Sequence, residues 1–301
     1  MVQSLVRKDE IDDLIADYGH VVVDECHHLP AVSFERILSE VKARYVVGLT
    51  ATPQRRDGHQ PITQMQLGPV RFRMDTRSQA AHRPFDHRLI VRDSGFRLVA
   101  ASAATSIQEI YRMLANDDAR NSRIVEDVIT AIHEGRSPIL LTERKDHLEY
   151  FAERLRRFVR HMVVLRGGMT VKERQRSADQ LASIPDTAER LVVATGRYIG
   201  EGLDDPRLDT LFLALPVSWK GTLIQYSGRL HRHHPAKTEV RIYDYVDREV
   251  PMLLRMFEKR LATYRAIGYA RREAPLGFAE PPDELTIEYD DEALRHLPED
   301  A

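Results

Sequence analysis

The stretch His20-Val21-Val22-Val23-Asp24-Glu25-Cys26-His27 decides how the chain reads. Three β-branched residues in an unbroken run suit a strand buried on both faces, as in a parallel sheet. The run ends in two adjacent carboxylates, which are costly at a strand end unless a cation or a protonated partner meets them. Residues 31–43 follow as an expected helix and Tyr45-Val46-Val47-Gly48-Leu49 as a second buried strand. Strand, helix and strand in that order predict a parallel α/β sheet, and the carboxyl edge of such a sheet is where ligands bind.

Working outward, residues 5–18 read as a short helix carrying Leu5, Ile11, Leu14 and Ile15. Residues 53–106 are broken by Gly58, Pro61, Gly68, Pro69 and Pro84, with candidate strands at Arg71–Met74 and His87–Val91. The alternation then resumes. Helices are expected at 106–115 and 119–134, and a strand at Pro138–Thr142. A helix bearing Leu148, Phe151, Leu155 and Phe158 leads to strand His161–Leu165 and the Gly167-Gly168 turn. A helix at 171–182, strands Arg190–Thr195 and Thr210–Ala214, and a helix at 219–231 follow. Strand Glu239–Tyr243 and a helix at 248–266 complete the series. Five strands with helical crossovers make a doubly wound lobe.

Composition sets the outer limits. Of 301 residues, 43% are apolar and 30% charged, which excludes disordered and collagen-like classes. No run approaches the ~18 apolar residues of a membrane-spanning helix. The first residues, Met1 to Leu14, carry charges where a signal peptide needs an apolar core. One cysteine, Cys26, excludes a disulfide framework and fits a cytoplasmic setting. The net charge of −2 is unevenly spread. Residues 273–301 hold ten acids and one base, leaving the first 272 residues with 43 bases, 36 acids and a net charge of +7. A mildly positive body tolerates a polyanion, and the acidic end reads as a solvated tail.

Four segments carry chemistry. Asp24-Glu25 offers one carboxylate for Mg²⁺ and one to orient or deprotonate a water, against the alternative of a strand-to-loop transition that happens to be acidic. Thr50-Ala51-Thr52-Pro53 places two hydroxyls past a strand, where they could relay hydrogen bonds or simply cap a turn. Residues 194–204 hold Gly196, Gly200 and Gly202, allowing close backbone approach to phosphate or sugar, or forming a tight loop. Gln225-Tyr226-Ser227-Gly228-Arg229-Leu230-His231-Arg232 puts two arginines three apart on one expected helical face. Two guanidiniums there can neutralise charge on a transferring phosphoryl group, or form a solvated basic face.

Taken together and in order, these segments resemble the superfamily 2 helicases of the DEAD/DEAH type. Asp24-Glu25-Cys26-His27 resembles motif II, Thr50-Ala51-Thr52 motif III, residues 194–204 motif V, and Gln225-x-x-Gly228-Arg229-x-x-Arg232 motif VI. The run from Gly48 to Gly58 is similar to the DNA-acting branch of XPB-like helicases and type III restriction translocases. DEAD-box proteins acting on RNA would have Ala-Asp where this chain has Cys26-His27. The resemblance implies two RecA-like lobes, the first truncated and the second complete. The implied organisation is a partial ATP-binding lobe at 1–78, a linker at 79–105, a C-terminal lobe at 106–250, and a final helix and acidic tail at 251–301.

The same resemblance implies site roles. Asp24 holds Mg²⁺ through water, and Glu25 positions the attacking water. Asp24, His27, Gly202 and Asp204 lie on the nucleotide side. Arg229 and Arg232 act as arginine fingers supported by Gln225, and Thr50 and Thr52 couple nucleotide state to the second lobe. Thr142, Arg166, Gly167, Thr195 and Gly196 meet the nucleic-acid backbone. ATP and Mg²⁺ are the implied cofactors, and DNA the implied partner.

One departure is sharp. The phosphate-binding loop G-x-x-x-x-G-K-[ST] is not in these 301 residues, since none of the 15 glycines is followed by lysine. Weak or absent ATP hydrolysis by the chain alone is expected. A truncated or split helicase is expected with it, the loop coming from a separate chain, and exposed apolar faces on the short first lobe. The alternative reading is a non-catalytic nucleic-acid-binding or regulatory module. A zinc site built from Cys26, His27, His28, His231, His233 and His234 is disfavoured, because one cysteine with no C-x-x-C pair lacks the usual structural-zinc spacing.

Overall fold

A computed structural model of the chain describes residues 6–7, 10–11, 18–24, 26, 41–50, 60–73, 83–98, 106–196, 203–217 and 220–271. They divide into two units, residues 1–79 and 80–301.

In the first unit, strands β1 (Val6–Arg7) and β2 (Glu10–Ile11) form a two-residue antiparallel ladder, so this part of the expected 5–18 helix is strand instead. Strands β3 (His20–Val23) and β4 (Tyr45–Gly48) pair in parallel, with Val23 opposite Gly48. Val23 and Cys26 are buried, with Val21, Val46 and Leu67 packed on them. The alternate residues Val22, Tyr45 and Val47 are exposed, at 61%, 48% and 44%. The pair therefore buries one face only. Helix α1 (Gln60–Leu67) brings Leu67 to that buried face. Residues 71–73 are exposed and form no strand, correcting the Arg71–Met74 expectation over those three residues, and Phe72 is 80% exposed. Most of the expected 31–43 helix lies outside the described residues.

Among the described residues the second unit holds a seven-stranded, wholly parallel sheet. Its strands are β5 (Asp86–Asp93), β6 (Pro138–Thr142), β7 (Met162–Leu165), β8 (Leu191–Thr195), β9 (Thr210–Leu213), β10 (Glu239–Val246) and the short β11 (Ala270–Arg271). The order across the sheet is β11-β5-β10-β9-β6-β8-β7. Every residue of β6, β8 and β9 is buried, as continuous apolar runs require when helices cover both faces. Alternation within a strand then assigns side chains to two cores. Ile139, Leu141, Val192 and Ala194 join one cluster, and Leu140, Leu191, Val193 and Phe212 the other.

Helices α3 (Asp118–His133) and α4 (Lys145–Leu155) supply Ile124, Val128, Leu148 and Phe151 to the second cluster. Helices α5 (Val171–Ser183), α6 (Lys220–Leu230) and α7 (Pro251–Ala266) supply Leu181, Leu223 and Tyr264 to the first. Helix α2 (Ile107–Ala115) packs Ile110 and Leu114 against Phe96, Leu215 and Leu253. Starts are set locally: Ser106 and Asp117 cap α2 and α3, and Thr170 with Glu173 closes a capping box on α5.

Residues 86–93 correct the expected 79–105 linker. They pair with all eight residues of β10 and lie one strand in from the sheet edge. The candidate strand His87–Val91 is borne out and runs slightly further at both ends, with Arg88 held by Glu239 and Arg92 by Asp127, at 2.5 and 2.9 Å. Among the described residues no helix is long and apolar enough to cross a membrane.

Candidate functional site

Because all seven strands of the second unit run in parallel, their carboxyl ends line one edge. Thr142 and Glu143 end β6, Arg166 and Gly167 follow β7, and Thr195 and Gly196 end β8. Three contacts tie these ends together. The Gly167 N–H donates to Thr195 Oγ1 at 3.0 Å, joining two loops across adjacent strands. The Tyr226 phenol, from α6, donates to Glu143 Oε1 at 3.2 Å. Gly196 sits where a Cβ would collide with Tyr226 Oη and Glu143 Oε1, so only glycine lets β8 pass between them. Although Glu143 as a residue is exposed, packing around its carboxyl raises it above the ordinary carboxylate range. Burial and the Glu143 charge push the Tyr226 phenol up. Tyr226 is only 5% exposed, so it packs in the core and presents no face for base stacking.

Thr142 is placed differently from expectation. It is 2% exposed, and its hydroxyl lies 3.0 Å from His147 Nδ1. His147 Nε2 lies 2.9 Å from Asn121 Oδ1, and Asn121 Nδ2 donates to Ala115 O at 2.8 Å. An amide oxygen only accepts, so Nε2 carries the proton and Nδ1 accepts from Thr142. Burial holds His147 neutral, its pKa lowered to about 3. The Thr142 hydroxyl is thus committed inward.

Motifs V and VI meet directly. Arg232 Nε lies 2.9 Å from Asp204 Oδ1, both side chains being partly open to solvent. Arg229 and Gln225 lie on α6, but the helix ends at Leu230, so Arg232 is beyond it and the expected shared helical face is corrected. The physical reason is a buried cap: Lys237 Nζ donates to Leu230 O at 2.8 Å and to Arg232 O at 2.9 Å, satisfying carbonyls that a continuing helix would use. Arg166 reaches Glu149 at 3.7 Å on the surface. Gly168, at φ +84°, makes the turn into α5 that Thr170 caps.

In the first unit, Asp24 follows β3 and Thr50 follows β4, placing both at the carboxyl edge of the parallel pair. Leu49 N–H donates to Val23 O and Cys26 N–H to Leu49 O, at 2.8 and 3.0 Å, fixing the chain on either side of Asp24. Gly48 is in close contact with Cys26, where a Cβ would stand 3.0 Å from Sγ. Glu25, His27, Thr52 and Gly202 lie outside the described residues. Among the described residues no group of three or more His, Cys, Asp or Glu side chains could hold a metal ion. Glu143, His147, Asn121 and Lys237 were missed by motif reading: Glu143 follows β6, Asn121 and His147 lie in the first turns of α3 and α4, and Lys237 precedes β10.

A parallel α/β lobe in which the motif V segment meets the motif VI segment, Gly196 against Tyr226 and Asp204 with Arg232, is of the RecA-like class. Comparison with known proteins agrees. The family model for the type III restriction enzyme, res subunit, matches residues 1–55, and that for the helicase conserved C-terminal domain matches residues 121–234. The DNA 3'-5' helicase XPB of Kineococcus radiotolerans is 35% identical over 169 residues, which is 54% of this chain and 28% of that protein. Transcript termination protein A18 of Fowlpox virus is 25% identical over 174 residues, 56% of this chain and 35% of that protein. The chain thus spans about a third or less of these relatives. Two solved structures share the fold. The type ISP restriction-modification enzyme LlaBIII bound to DNA has a TM-score of 0.57 at 16% identity, covering 88% of this chain and 21% of that one. Dbp5 of S. cerevisiae bound to RNA and ADP BeF3 has a TM-score of 0.56 at 13% identity, covering 86% and 60%. These matches support a superfamily 2 helicase and are consistent with the XPB and type III restriction branch.

Proposed function

We propose that the chain supplies the motif II to motif VI portion of an ATP-dependent motor acting on DNA in the cytoplasm. The observation that carries the reading is the 2.9 Å pairing of Arg232 with Asp204, which joins the motif V segment to the motif VI segment. Asp24, an exposed carboxylate at a strand end, has the hard oxygen donor that Mg²⁺ takes through water. Bound Mg²⁺ supplies charge neutralisation on the phosphates.

On this reading Glu25 orients the water, and Asp24, His27, Gly202 and Asp204 line the nucleotide. Arg229 and Arg232 offset the charge that spreads over the transferring phosphoryl oxygens, with Gln225 supporting them. Thr50 and Thr52 pass nucleotide state to the second lobe. Arg166, Gly167, Thr195 and Gly196 present backbone N–H groups and a guanidinium suited to phosphate contact. Thr142 serves the same edge through its backbone, because its hydroxyl is taken by His147.

The lysine and N–H cradle that hold the β- and γ-phosphates are absent from these residues, so ATP turnover by the chain alone is expected to be weak or nil. A steady-state ATPase assay with saturating ATP and DNA checks this, and turnover of about 1–100 s⁻¹ would contradict it. Adding a separate polypeptide that carries a P-loop lobe is expected to raise DNA-stimulated turnover. No stimulation, with DNA binding retained, points instead to a non-catalytic nucleic-acid-binding module.

A further inference from the structure

Three consecutive residues of motif VI are pinned from outside the motif. Leu230 O and Arg232 O both accept from the Lys237 ammonium, at 2.8 and 2.9 Å. Between them, His231 Nε2 lies 3.0 Å from the Tyr269 phenol in a hydrogen bond. Lys237 and Tyr269 are buried, at 6% and 2% exposure, and Phe85 packs beneath the lysine with its ring centroid 5.6 Å from Nζ. His87 stands edge-on to both the His231 and Tyr269 rings, at 5.2 and 5.1 Å.

The placement of Tyr269 has a local cause. Helix α7 ends at Ala266, and Gly268, two residues on, has a φ of +93° that reverses the chain. Gly268 N–H donates to Arg265 O and Tyr269 N–H to Tyr264 O, at 3.3 and 2.9 Å, which is a Schellman closure. The reversal turns Tyr269 into the core and lets β11 pair with β5. Lys237 lies in the segment leading to β10, and its own N–H donates to His234 O at 3.0 Å.

We propose that Lys237 and Tyr269 are positioning residues for Arg232: Lys237 fixes the backbone on both sides of His231, Tyr269 holds the His231 ring, and together they set where the Arg232 guanidinium stands beside Asp204. The proposal deepens the motor reading, in which Arg232 meets the nucleotide. Its geometric content holds in the nucleotide-free chain. Arg232 lies past the end of α6, so helical hydrogen bonds do not hold it. The Lys237 ammonium and the His231–Tyr269 hydrogen bond do that instead. Neither Lys237 nor Tyr269 belongs to the motifs, and Tyr269 is reached only through the fold of the last helix.

The test uses the full chain without nucleotide. Hydrogen exchange is measured on peptides spanning 228–235 in wild type, Lys237→Met, Lys237→Arg and Tyr269→Phe, together with the NMR signal of the Arg232 Nε–H. Asp204→Asn gives the reference signal for the unpaired guanidinium. Lys237→Met is expected to speed exchange of that segment about tenfold, with β6, β8 and β9 unchanged, and Tyr269→Phe about threefold. In both, the Arg232 signal moves toward its Asp204→Asn position, and Lys237→Arg, which can still donate to both carbonyls, restores it. The proposal is overturned if segment and signal stay as in wild type, or if the whole sheet loses protection together. Should Lys237→Met fail to fold, Tyr269→Phe removes one hydroxyl only and decides the matter. Failure here leaves the ATPase result with a P-loop chain untouched, and failure there leaves this arm readable.

Discussion

The two parallel arrays in this chain are built from similar residues and behave differently. In β3 and β4 the valine runs bury one face, and Val22, Tyr45 and Val47 are open to solvent. In β6, β8 and β9 the same kind of run is buried at every position, between α3 and α4 on one side and α5, α6 and α7 on the other. A β-branched run thus specifies a strand able to be buried twice, and the elements around it decide whether it is. The second array also buries charge. Arg260 makes a two-pronged contact with Asp244 at 2.6 and 2.7 Å, and the Tyr264 phenol donates to the same carboxylate at 2.7 Å. Arg120, fully buried, donates to Asp247 and to Ala214 O at 3.1 and 2.5 Å.

The contrast can be broken at its strongest point by Asp244→Ala. That change leaves the Arg260 guanidinium buried without its partner, and is expected to destabilise the second unit by about 3–5 kcal/mol in urea unfolding. A loss below about 1 kcal/mol would mean that water reaches the pair.

A smaller effect follows from acid. His147 is held neutral, with its folded pKa lowered to about 3 from 6.5, and His231 to about 2. Below pH 6.5 the unfolded chain takes up protons that the folded one refuses. Their contribution is therefore complete above 6.5 and is lost as pH falls toward the folded values. Raised carboxyls at Asp127 and Asp209 act in the opposite sense, so the histidine share is isolated by difference. Between pH 7 and 5.5 wild type is expected to lose about 1 kcal/mol more than His147→Gln. Parallel pH profiles would remove His147 from the account.

The smallest effect is expected in the first array. Val22→Ala, on the open face, should change stability by less than about 0.5 kcal/mol. A loss of about 2 kcal/mol or more, comparable with a core deletion, would show that this face is covered in solution.

Much of the second lobe was legible in advance. Pro138-Ile139-Leu140-Leu141-Thr142 and Leu191-Val192-Val193-Ala194-Thr195 are short unbroken apolar runs bounded by polar residues, and little besides a central parallel strand suits them. Strand β5 was half legible: His87–Val91 suggested it, but the glycines and prolines before it, Pro84 among them, broke the pattern and set it within an expected linker. Its partner β10 lies about 150 residues later, and the Arg88 and Arg92 charges are neutralised only once Glu239 and Asp127 arrive. At the site, the order of the motifs was visible and their mutual geometry was not.

The amino-acid order alone determined the class of fold, the positions of the acidic pair and the paired arginines, and the absence of a phosphate-binding loop from these residues. Each depends on local pattern: hydrophobic period, residue type and spacing along the chain. Only the tertiary structure decided that Thr142 turns its hydroxyl inward to His147, that Gly196 threads between Tyr226 and Glu143, and that Lys237 and Tyr269 hold the segment bearing Arg232. Those contacts join residues up to 83 positions apart. Buried polar groups choose partners by what reaches them in space, and distance along the chain carries no record of that choice.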